Sequence, residues 1–464
     1  MNLDGFIAAL APTEVVGVAP VEVCDLAYDA RTVAPGALFF AVPGTRADGH
    51  DFAPDAVERG AVALVVERPL DVPVPQLVVA DARVAMAVGA DEFFGRPSEE
   101  LVVAGVTGTN GKTTTSFLLS AILETAGLRP GLLGTVECRV GGERRPAIRT
   151  TPEAIDVQRT LREMLDAGDR SCVMEATSHG SELHRLDRIR FDVLVFTNLT
   201  QDHLDFHGTM ERYFEAKRRL FLEGRPPAAI NVGDDWGRRL AADRPDALTF
   251  GFAPDAEVGP DALAGVDFRL RGRFNVENAL GALAASRLLG IEPEAAVRGL
   301  EAVPGVPGRF ESVDEGQPFE VVVDYSHTPD SLENVLRAAR ELTEGRVICV
   351  FGCGGDRDRG KRPVMGGIAS RLADVPIVTS DNPRSEDPLA IIEEIVTGME
   401  PGAEVDPDRR SAIARAVELA GPGDVVVIAG KGHEQGQEFQ EGRKVPFDDR
   451  EVAREALRRL RVGT

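Results

Sequence analysis

Short apolar runs, separated by glycine, proline and charged residues, repeat along the whole chain. Such runs predict buried strands, and the longer stretches between them carry apolar residues at helical spacing. Up to about residue 97 the pattern predicts a small α/β unit, and beyond it strands and helices alternate as in a second α/β region. The predicted strands of these two regions cover residues 37–42, 61–66, 76–79, 101–106, 171–175, 191–198 and 228–232, and a helical pattern at 275–289 closes the second region.

The segment Val-Pro-Gly-Val-Pro-Gly at 303–308 is the clearest boundary in the sequence, because proline and glycine break helices and strands. Five strand-like runs follow it with helical patterns between them, which predicts a doubly wound, Rossmann-like domain with parallel strands. These runs cover residues 320–325, 346–352, 376–380, 403–405 and 424–430. The sequence therefore predicts an α/β protein of three domains, with boundaries at 1–97, 98–308 and 309–464.

A glycine-rich turn lies between the predicted strand at 101–106 and a helical pattern that follows it. Backbone N–H groups of such a turn and the positive end of the helix cradle phosphates, a lysine adds a point charge, and a hydroxyl holds Mg²⁺. Val106 stands where the strict P-loop has glycine, so the motif is a narrower variant that still predicts nucleotide binding. Its residues are Gly108, Thr109, Asn110, Gly111, Lys112, Thr113 and Thr114.

The formal net charge of −23 argues against a nucleic-acid-binding protein and suits a cytoplasmic one. No apolar run approaches the length of a membrane-spanning helix, and the N-terminus lacks the basic region of an export signal, so we expect no membrane insertion. The five cysteines are scattered, which favours incidental thiols in a reducing compartment over disulfides or a zinc site. Metal binding by Cys349 and Cys353 is not favoured.

Carboxylate and imidazole groups follow two predicted strands of the second region. Glu175 ends one strand, and His203 comes soon after the next. Beside a phosphate-binding turn, such groups suit Mg²⁺ held together with substrate phosphates. A zinc pair formed by His203 and His207 is not favoured, because the H-E-x-x-H pattern is absent. Taken alone, Lys217 is typical of a solvated lysine on a helix.

Polar motifs follow four of the predicted strands of the third region, at 324–327, 352–357, 380–384 and 430–434. Ligands of doubly wound sheets bind at the carboxyl ends of the strands. The segment Asp-Asn-Pro-Arg at 381–384 alone could be a turn, but the planar fork of Arg384 is suited to a carboxylate, and Arg357 could play a similar part.

Together the motifs resemble those of the Mur ligases of peptidoglycan synthesis, over essentially the whole chain. The resemblance is carried by seven kinds of segment in order. They are D-A-R-T-V-A-P-G-A-L-F-F-A at 29–41, G-T-N-G-K-T-T at 108–114, R-T-T-P at 149–152, E-A-T-S-H-G at 175–180, T-N-L-T-Q-D-H at 197–203, E-A-K at 215–217 and the four motifs of the third region.

The resemblance implies a three-domain Mur ligase architecture and a role for each matching residue. The turn at 108–114 would bind ATP together with Asn275, Asn278, Arg309 and Asp324, and Thr113, Glu175 and His203 would hold Mg²⁺. Lys112, Lys217, Glu175 and His203 would be catalytic, with Lys217 carbamylated to N6-carboxylysine, which reverses the interpretation of Lys217 given above. The UDP-linked substrate would contact Ala30, Thr150, Thr151, Thr177 and Arg185, and diaminopimelate would contact Arg357, Asp381, Asn382, Pro383, Arg384, Gly430 and Glu434.

By the same resemblance, the reaction is the ATP-dependent addition of meso-diaminopimelate to UDP-N-acetylmuramoyl-L-alanyl-D-glutamate through an acyl phosphate, by a cytoplasmic monomer. The form D-N-P-R is the one associated with diaminopimelate, whose second carboxylate needs a guanidinium partner. The alternatives are a lysine-adding relative, a folylpolyglutamate synthase-like ligase, and a nucleotide-dependent switch that has lost catalysis. Ala30 and Leu183 depart from relatives that carry serine and glutamine, and both departures weaken expected contacts to the nucleotide sugar.

Overall fold

A computed structural model describes residues 1–17, 19–44 and 47–462. They divide into two compact units, each built from several segments of the chain. The first unit comprises residues 1–107, 127–194 and 216–227, and the second comprises 108–126, 195–215 and 228–464. Because these units do not follow the predicted boundaries at 97 and 308, the division into three domains at those positions stays a prediction.

The N-terminal segment, in the first unit, forms a five-stranded sheet in the order β1-β5-β4-β3-β2. Strand β3 shows how the sheet is buried on both faces. Leu38 and Phe40 pack on one side against α1 and α3, whereas Ala37 and Phe39 pack on the other against α2. The predicted strands at 37–42, 61–66 and 76–79 are confirmed. The elements are α1 (Leu3–Leu10), β1 (Glu14–Val16), β2 (Asp25–Ala27), β3 (Ala37–Phe40), α2 (Ala53–Glu58), β4 (Ala63–Val66), β5 (Gln76–Val78) and α3 (Ala82–Phe93).

The middle segment supplies elements to both units, and its predicted strands are again present. The helices and strands of this segment are β6 (Val102–Thr107), α4 (Lys112–Thr125), β7 (Pro130–Leu133), β8 (Glu137–Val140), β9 (Glu143–Pro146), α5 (Ala154–Asp166), β10 (Ser171–Glu175), α6 (Ser178–Glu182), β11 (Val193–Phe196), α7 (Leu204–His207), α8 (Met210–Leu222), β12 (Ala228–Asn231), α9 (Asp235–Asp243), β13 (Leu248–Phe250), α10 (Arg273–Leu288) and α11 (Pro293–Glu301).

Within the first unit, β10 pairs in parallel with β6 on one side and β7 on the other, and β8 and β9 continue as an antiparallel hairpin. Within the second unit, α4 packs against α10 and α11. Gly299 permits this close approach, because a Cβ there would lie 2.5 Å from the Cα of Ile122.

The C-terminal segment, in the second unit, forms a six-stranded sheet in the order β14-β15-β19-β16-β17-β18. Helices α12 to α14 cover one face and α15 and α16 the other, which confirms the doubly wound domain. The pairs that join β15 through β18 are parallel, so their carboxyl ends meet at one edge. The elements are β14 (Glu311–Ser312), β15 (Glu320–Asp324), α12 (Pro329–Glu341), β16 (Val347–Phe351), α13 (Lys361–Leu372), β17 (Val375–Val378), α14 (Pro388–Val396), β18 (Glu404–Val405), α15 (Arg409–Leu419), β19 (Val425–Ala429), β20 (Gly436–Glu438), β21 (Lys444–Pro446) and α16 (Asp449–Val462).

Across the described part of the chain, every helix is too short or too polar to cross a membrane.

Candidate active site

The turn before α4 requires glycine at two positions. Gly108 has φ +149° and Gly111 has φ +84°. A Cβ at Gly108 would lie 1.9 Å from Oγ1 of Thr197, and one at Gly111 would lie 2.2 Å from Oδ1 of Asn278. Any Cβ at these positions would clash with Thr197 or Asn278, so this conformation of the turn requires glycine at both positions.

Hydrogen bonds from the segment that follows β11 hold the turn in place. The Thr109 amide donates to the carbonyl of Asn198 over 2.9 Å, and the Asn110 amide donates to Oδ1 of the same Asn198 over 2.9 Å. The Thr197 hydroxyl donates to the Asn110 carbonyl over 2.6 Å. These bonds fix the backbone of the turn before any ligand arrives.

Lys112 and the start of α4 make the turn suited to an anion. The Lys112 ammonium donates to the carbonyls of Gly108 (3.0 Å) and Thr109 (2.7 Å), so it lies across the turn. Gly111 caps α4 without a side-chain hydrogen bond. The N–H groups and positive end of a helix attract phosphate in this arrangement.

Asn275 and Asn278 lie on the first turns of α10, beside α4, and both are buried. Asn278 Nδ2 donates to Oδ1 of Asn275 over 3.2 Å, and Asn275 Nδ2 donates to the carbonyl of Arg271 over 2.7 Å. The structure thus brings Asn278 against Gly111, as the prediction of a nucleotide site requires.

Arg309 and Asp324 also reach this side of the second unit. Nη2 of Arg309 donates to the Thr113 hydroxyl over 3.1 Å, and its guanidinium lies 4.3 Å from the centre of the Tyr325 ring. The Asp324 carboxylate accepts from the Phe310 amide over 2.7 Å and from the Ser326 hydroxyl. Burial raises the pKa of Asp324.

His203 has φ +55° and lies beside the buried carboxylate of Asp202, with 3.3 Å between Nε2 and Oδ2. Burial opposes ionisation of Asp202, but His203, His327 and Lys361 outweigh it, so the pKa of Asp202 falls below its usual range. Sequence reasoning missed Asp202 as a partner of His203, although the two are adjacent.

In the first unit, Glu175 ends β10 with 1% of its surface exposed. Its carboxylate accepts from the amide of Thr135 (2.8 Å) and from the Thr135 hydroxyl (2.9 Å). The same hydroxyl lies 3.0 Å from Oγ1 of Thr150. Sequence reasoning missed Thr135, although it follows the apolar run of β7 as Glu175 follows that of β10.

Thr151, Thr177 and Arg185 join this network. The Thr151 hydroxyl donates to the carbonyl of Glu175 over 2.7 Å and accepts from the Thr177 hydroxyl over 3.0 Å. Nη1 of Arg185 donates to the Thr151 carbonyl over 3.1 Å. Four of the five predicted substrate contacts thus lie together.

Glu153, which the sequence did not single out, forms ion pairs with the arginines that lie beside this network. Its carboxylate lies 2.8 Å from Nη2 of Arg185, 2.6 Å from Nη1 of Arg149 and 3.4 Å from Nη1 of Arg83. Three guanidinium groups around one carboxylate leave a surplus of positive charge, which suits an anionic ligand. Ala30, the fifth predicted contact, is a buried residue at the start of a short 3-10 turn.

The structure contradicts the interpretation of Lys217 that its sequence context alone favours, a solvated lysine on a helix. Lys217 is not solvated, because only 1% of its surface is exposed. Its Nζ lies 3.5 Å from Oγ1 of Thr107, also in the first unit. A buried lysine suits a residue with a chemical role better than one that only solvates a helix.

The predicted metal ligands offer a hydroxyl, a carboxylate and an imidazole. Thr113 and His203 belong to the second unit and Glu175 to the first. Within residues 1–17, 19–44 and 47–462, no group of three or more His, Cys, Asp or Glu side chains could hold a metal by itself. Magnesium is usually bound by few protein ligands and completes its shell with phosphate oxygens and water, and the Thr113 hydroxyl and the Glu175 carboxylate are the kind of oxygen donor that it prefers.

At the carboxyl edge of the C-terminal sheet, the predicted amino-acid contacts come together. Asn382 Nδ2 donates to Oε2 of Glu434 over 2.9 Å, and the Tyr325 hydroxyl lies 3.4 Å from Oε1 of Glu434. Gly430 has φ +124°, and a Cβ there would lie 2.5 Å from Oδ2 of Asp381. The edge therefore presents two carboxylates and one amide.

Arg384 has φ +52°, a backbone conformation that costs free energy outside glycine. Its Nη1 donates to the carbonyl of Gly355 over 2.7 Å, and its Nε lies 3.3 Å from Oε2 of Glu438. A Cβ at Gly355 would lie 1.9 Å from the carbonyl oxygen of Pro383, so the two motifs pack backbone to backbone. Arg357 is exposed, and its Nη1 donates to the carbonyl of Asp356.

Sequence models of one family match the chain in three successive stretches. They are described as the Mur ligase family catalytic domain at residues 23–95, the Mur ligase middle domain at 106–286, and the Mur ligase glutamate ligase domain at 308–432. The chain belongs to the Mur ligase family. The α/β architecture of N-terminal, middle and C-terminal Mur ligase domains is thereby confirmed, and with it the resemblance seen in the motifs.

Curated relatives of this Mur ligase are similar over nearly their whole length. A Solibacter usitatus protein is 46% identical, with 95% of this chain and 94% of the relative covered. A Streptomyces coelicolor protein is 45% identical, with 94% and 93% covered. Both carry the name UDP-N-acetylmuramoyl-L-alanyl-D-glutamate--2,6-diaminopimelate ligase.

Solved structures agree with this assignment. One titled as a UDP-N-acetylmuramoyl-L-alanyl-D-glutamate--2,6-diaminopimelate ligase is 32% identical with a TM-score of 0.66, and the alignment covers 98% of this chain and 99% of that one. A Mycobacterium tuberculosis folylpolyglutamate synthase is 18% identical with a TM-score of 0.63, and the alignment covers 75% of this chain and 93% of that one. At that identity the likeness shows the fold alone.

Proposed function

We propose that this Mur ligase adds meso-2,6-diaminopimelate to UDP-N-acetylmuramoyl-L-alanyl-D-glutamate in the cytoplasm, with conversion of ATP to ADP and phosphate. The observation that carries the proposal is the cluster of Asp381, Asn382, Arg384 and Glu434 at one sheet edge. A diaminopimelate molecule carries an ammonium and a carboxylate at each end, and this edge offers partners for both charges.

The first chemical step forms an acyl phosphate from the glutamyl side-chain carboxylate and the terminal phosphate of ATP. The turn at 108–114 grips the phosphates, and Lys112 offsets the charge that develops on the transferred group. Glu153 and its three arginines supply the positive charge that holds the anionic acceptor substrate. When bound, Mg²⁺ neutralises phosphate charge, and Thr113, Glu175 and His203 are the residues that would hold it.

The second step joins the donor amine to the activated carbonyl carbon, and phosphate leaves. No side-chain nucleophile is needed, so the protein contributes mainly by orienting the amine. In this role Glu434 and Asp381 bind the ammonium groups, and Arg384 binds the distal carboxylate. Carbamylated Lys217 would place a negative charge in the buried site that the unmodified ammonium now occupies.

The decisive experiment offers the wild-type protein a choice of amine donor. Protein, ATP, Mg²⁺ and UDP-N-acetylmuramoyl-L-alanyl-D-glutamate are incubated with either meso-diaminopimelate or L-lysine, and phosphate release is followed. We expect release with diaminopimelate and at most a small fraction of that rate with lysine. A preference for lysine would overturn the proposed donor, and release with glutamate alone would favour a folylpolyglutamate synthase-like ligase instead.

The role of Arg384 is tested by its replacement with alanine. A charged hydrogen bond is worth about 1.5–3 kcal/mol, so Arg384→Ala should raise the KM for diaminopimelate roughly 10- to 100-fold. The KM for ATP should change less than about two-fold, since the nucleotide lies at the turn before α4. The matched control is Arg337→Ala, which removes an exposed arginine paired along its own helix with Glu333. Equal rises for both substrates would contradict the assignment.

A further inference from the structure

Lys431 is a fully buried cation among the residues that the proposed function assigns to the amine donor. Its side chain is 0% exposed. Its Nζ lies 2.8 Å from Oδ1 of Asn382, 2.9 Å from Oε2 of Glu434 and 3.9 Å from Oδ1 of Asp381. A buried ammonium is tolerated only when it is paired and hydrogen-bonded, and all three of its partners here are donor-site residues.

The contacts of Asn382 show what Lys431 does locally. Oδ1 of Asn382 accepts from the Lys431 ammonium and from the amide of Glu438, the latter over 2.9 Å. Rotating the amide by half a turn would place its NH₂ group against two donors. Lys431 and the Glu438 backbone therefore leave one orientation, in which Nδ2 of Asn382 faces Glu434.

The Glu434 carboxylate is held in the same way. Its Oε2 accepts both from Lys431 and from Asn382, each over 2.9 Å. Among the described side chains, the other hydrogen bond to the Glu434 carboxylate comes from the Tyr325 hydroxyl at 3.4 Å, on Oε1. One oxygen of the carboxylate is thus committed to the protein, and the other keeps capacity for a substrate ammonium.

Lys431 also changes the charge of its surroundings. Burial opposes ionisation of the Asp381 carboxyl, but Lys431 and then Arg409 outweigh it, so the pKa of Asp381 is lowered. Arg409 is itself paired with the buried Asp449. Lys431 therefore helps to balance the buried carboxylate of Asp381 and the partly exposed one of Glu434, and its removal would leave Asp381 under-compensated.

We propose that Lys431 is a positioning residue for the amine donor, which acts by fixing the amide of Asn382 and one oxygen of Glu434. The role rests on the proposed function, because that function makes these two residues donor ligands. In this role Lys431 acts through protein groups, since its ammonium donates hydrogen bonds to Asn382 and Glu434 and forms an ion pair with Asp381.

The test measures the KM of each substrate for Lys431→Met, which keeps the length of the side chain and removes its charge. We expect the KM for diaminopimelate to rise roughly 10- to 100-fold, with the KM for ATP within about two-fold of wild type. The matched control is Lys444→Met, an exposed lysine on β21, which should leave both values unchanged. Equal rises for diaminopimelate and ATP would overturn the proposal.

A double variant asks whether Lys431 acts through Asn382. If it does, Asn382→Ala combined with Lys431→Met should raise the KM for diaminopimelate little more than Asn382→Ala alone. If the rise in KM of the double variant equalled the product of the rises of the two single variants, Lys431 would not act through Asn382. If Lys431→Met does not fold, Lys431→Gln takes its place, because the glutamine amide can still donate to Asn382. We then expect a smaller rise in the KM for diaminopimelate. An unchanged KM for diaminopimelate would count against the role of Lys431.

The wild-type assay separates this proposal from the proposed function. If the wild-type protein used lysine instead of diaminopimelate, the proposed donor would be wrong. The effect of Lys431→Met on the KM for lysine would then still decide whether Lys431 positions the amine donor.

Discussion

His184 lies in the turn after α6, next to the arginine that joins the Thr151 network. Its Nδ1 is 2.7 Å from Oδ2 of Asp187, whose other oxygen is 2.5 Å from Nη2 of Arg219. The hydrogen bond to Asp187 raises the pKa of His184 from its ordinary 6.5, against the opposing effect of burial. The imidazolium therefore helps to hold the turn that carries Arg185.

This raised pKa predicts a pH-dependent contribution to stability. Because the folded state binds the proton more tightly than the unfolded state, the contribution is fully present below the unfolded pKa of about 6.5 and is lost as the pH rises through the folded pKa. The difference in melting temperature between wild type and His184→Asn should therefore be larger at pH 6 than at pH 9. Calorimetry at the two pH values checks this, and a larger difference at pH 9 would contradict it.

Individual residues show what could be predicted from the sequence and what could not. The motif letters point to Lys112, Glu175 and Arg384 as candidate site residues, because their proposed chemistry depends on local spacing. They could not show that Lys217 is buried, since burial depends on residues far away in the chain. Nor could they show that His50 is buried, with 2% of its surface exposed, and bonded to Asp48 and the Glu67 amide.

At the scale of elements, α4 is bounded by two glycines with nearly the same backbone conformation. Gly111 precedes the helix with φ +84°, and Gly127 follows it with φ +80°. Their surroundings differ. A Cβ at Gly111 would lie 2.2 Å from Asn278, whereas nothing lies within 4 Å of one at Gly127. The pair therefore separates the cost of a left-handed conformation from the cost of a steric clash.

Alanine at each position gives a matched prediction. Gly127→Ala should lower the free energy of unfolding by about 1–2 kcal/mol through backbone strain, with an unchanged KM for ATP. Gly111→Ala should cost at least as much stability and also displace Asn278, raising the KM for ATP about ten-fold or more. Denaturant unfolding and steady-state kinetics check the two variants. A raised KM for ATP in Gly127→Ala, or an unchanged one in Gly111→Ala, would refute this account of the turn.

The elements that the sequence predicts well are those buried on both faces. Strands β15, β16, β17 and β19 are continuous apolar runs because helices cover both sides of a parallel sheet. The hairpin of β8 and β9 escaped prediction, since its segment 137–146 is rich in arginine and glutamate and β9 is largely exposed. Strands β20 and β21 escaped prediction because each is three residues long and neither is a continuous apolar run, although β20 carries Glu438, the partner of Arg384.

At the scale of the whole molecule, a net charge of −23 must accommodate highly anionic substrates. The structure concentrates cations locally. Arg83, Arg149 and Arg185 surround Glu153 in the first unit, and Lys112 and Arg309 lie at the turn before α4 in the second. Composition alone argues against a nucleic-acid partner, but it cannot reveal such clusters because it averages over the surface.

Nucleotide binding should therefore be visible in the stability of the protein. A ligand at 100 times its Kd stabilises the folded state by about 2.7 kcal/mol, so saturating ATP with Mg²⁺ should raise the Tm. Removing the metal with EDTA should reduce the rise, because uncompensated phosphate charge would then face an acidic protein.

The variant Lys112→Met assigns this stabilisation to the turn before α4. The Tm of each protein without ligand is its baseline, since Lys112→Met also removes the hydrogen bonds to the carbonyls of Gly108 and Thr109. With ATP and Mg²⁺ the Tm of the variant should rise far less, since the ammonium that faces the phosphates is gone. AMP is the control ligand, because it lacks the two phosphates that the turn would grip and should shift both proteins little. An equal rise for wild type and Lys112→Met would place the nucleotide elsewhere on the molecule.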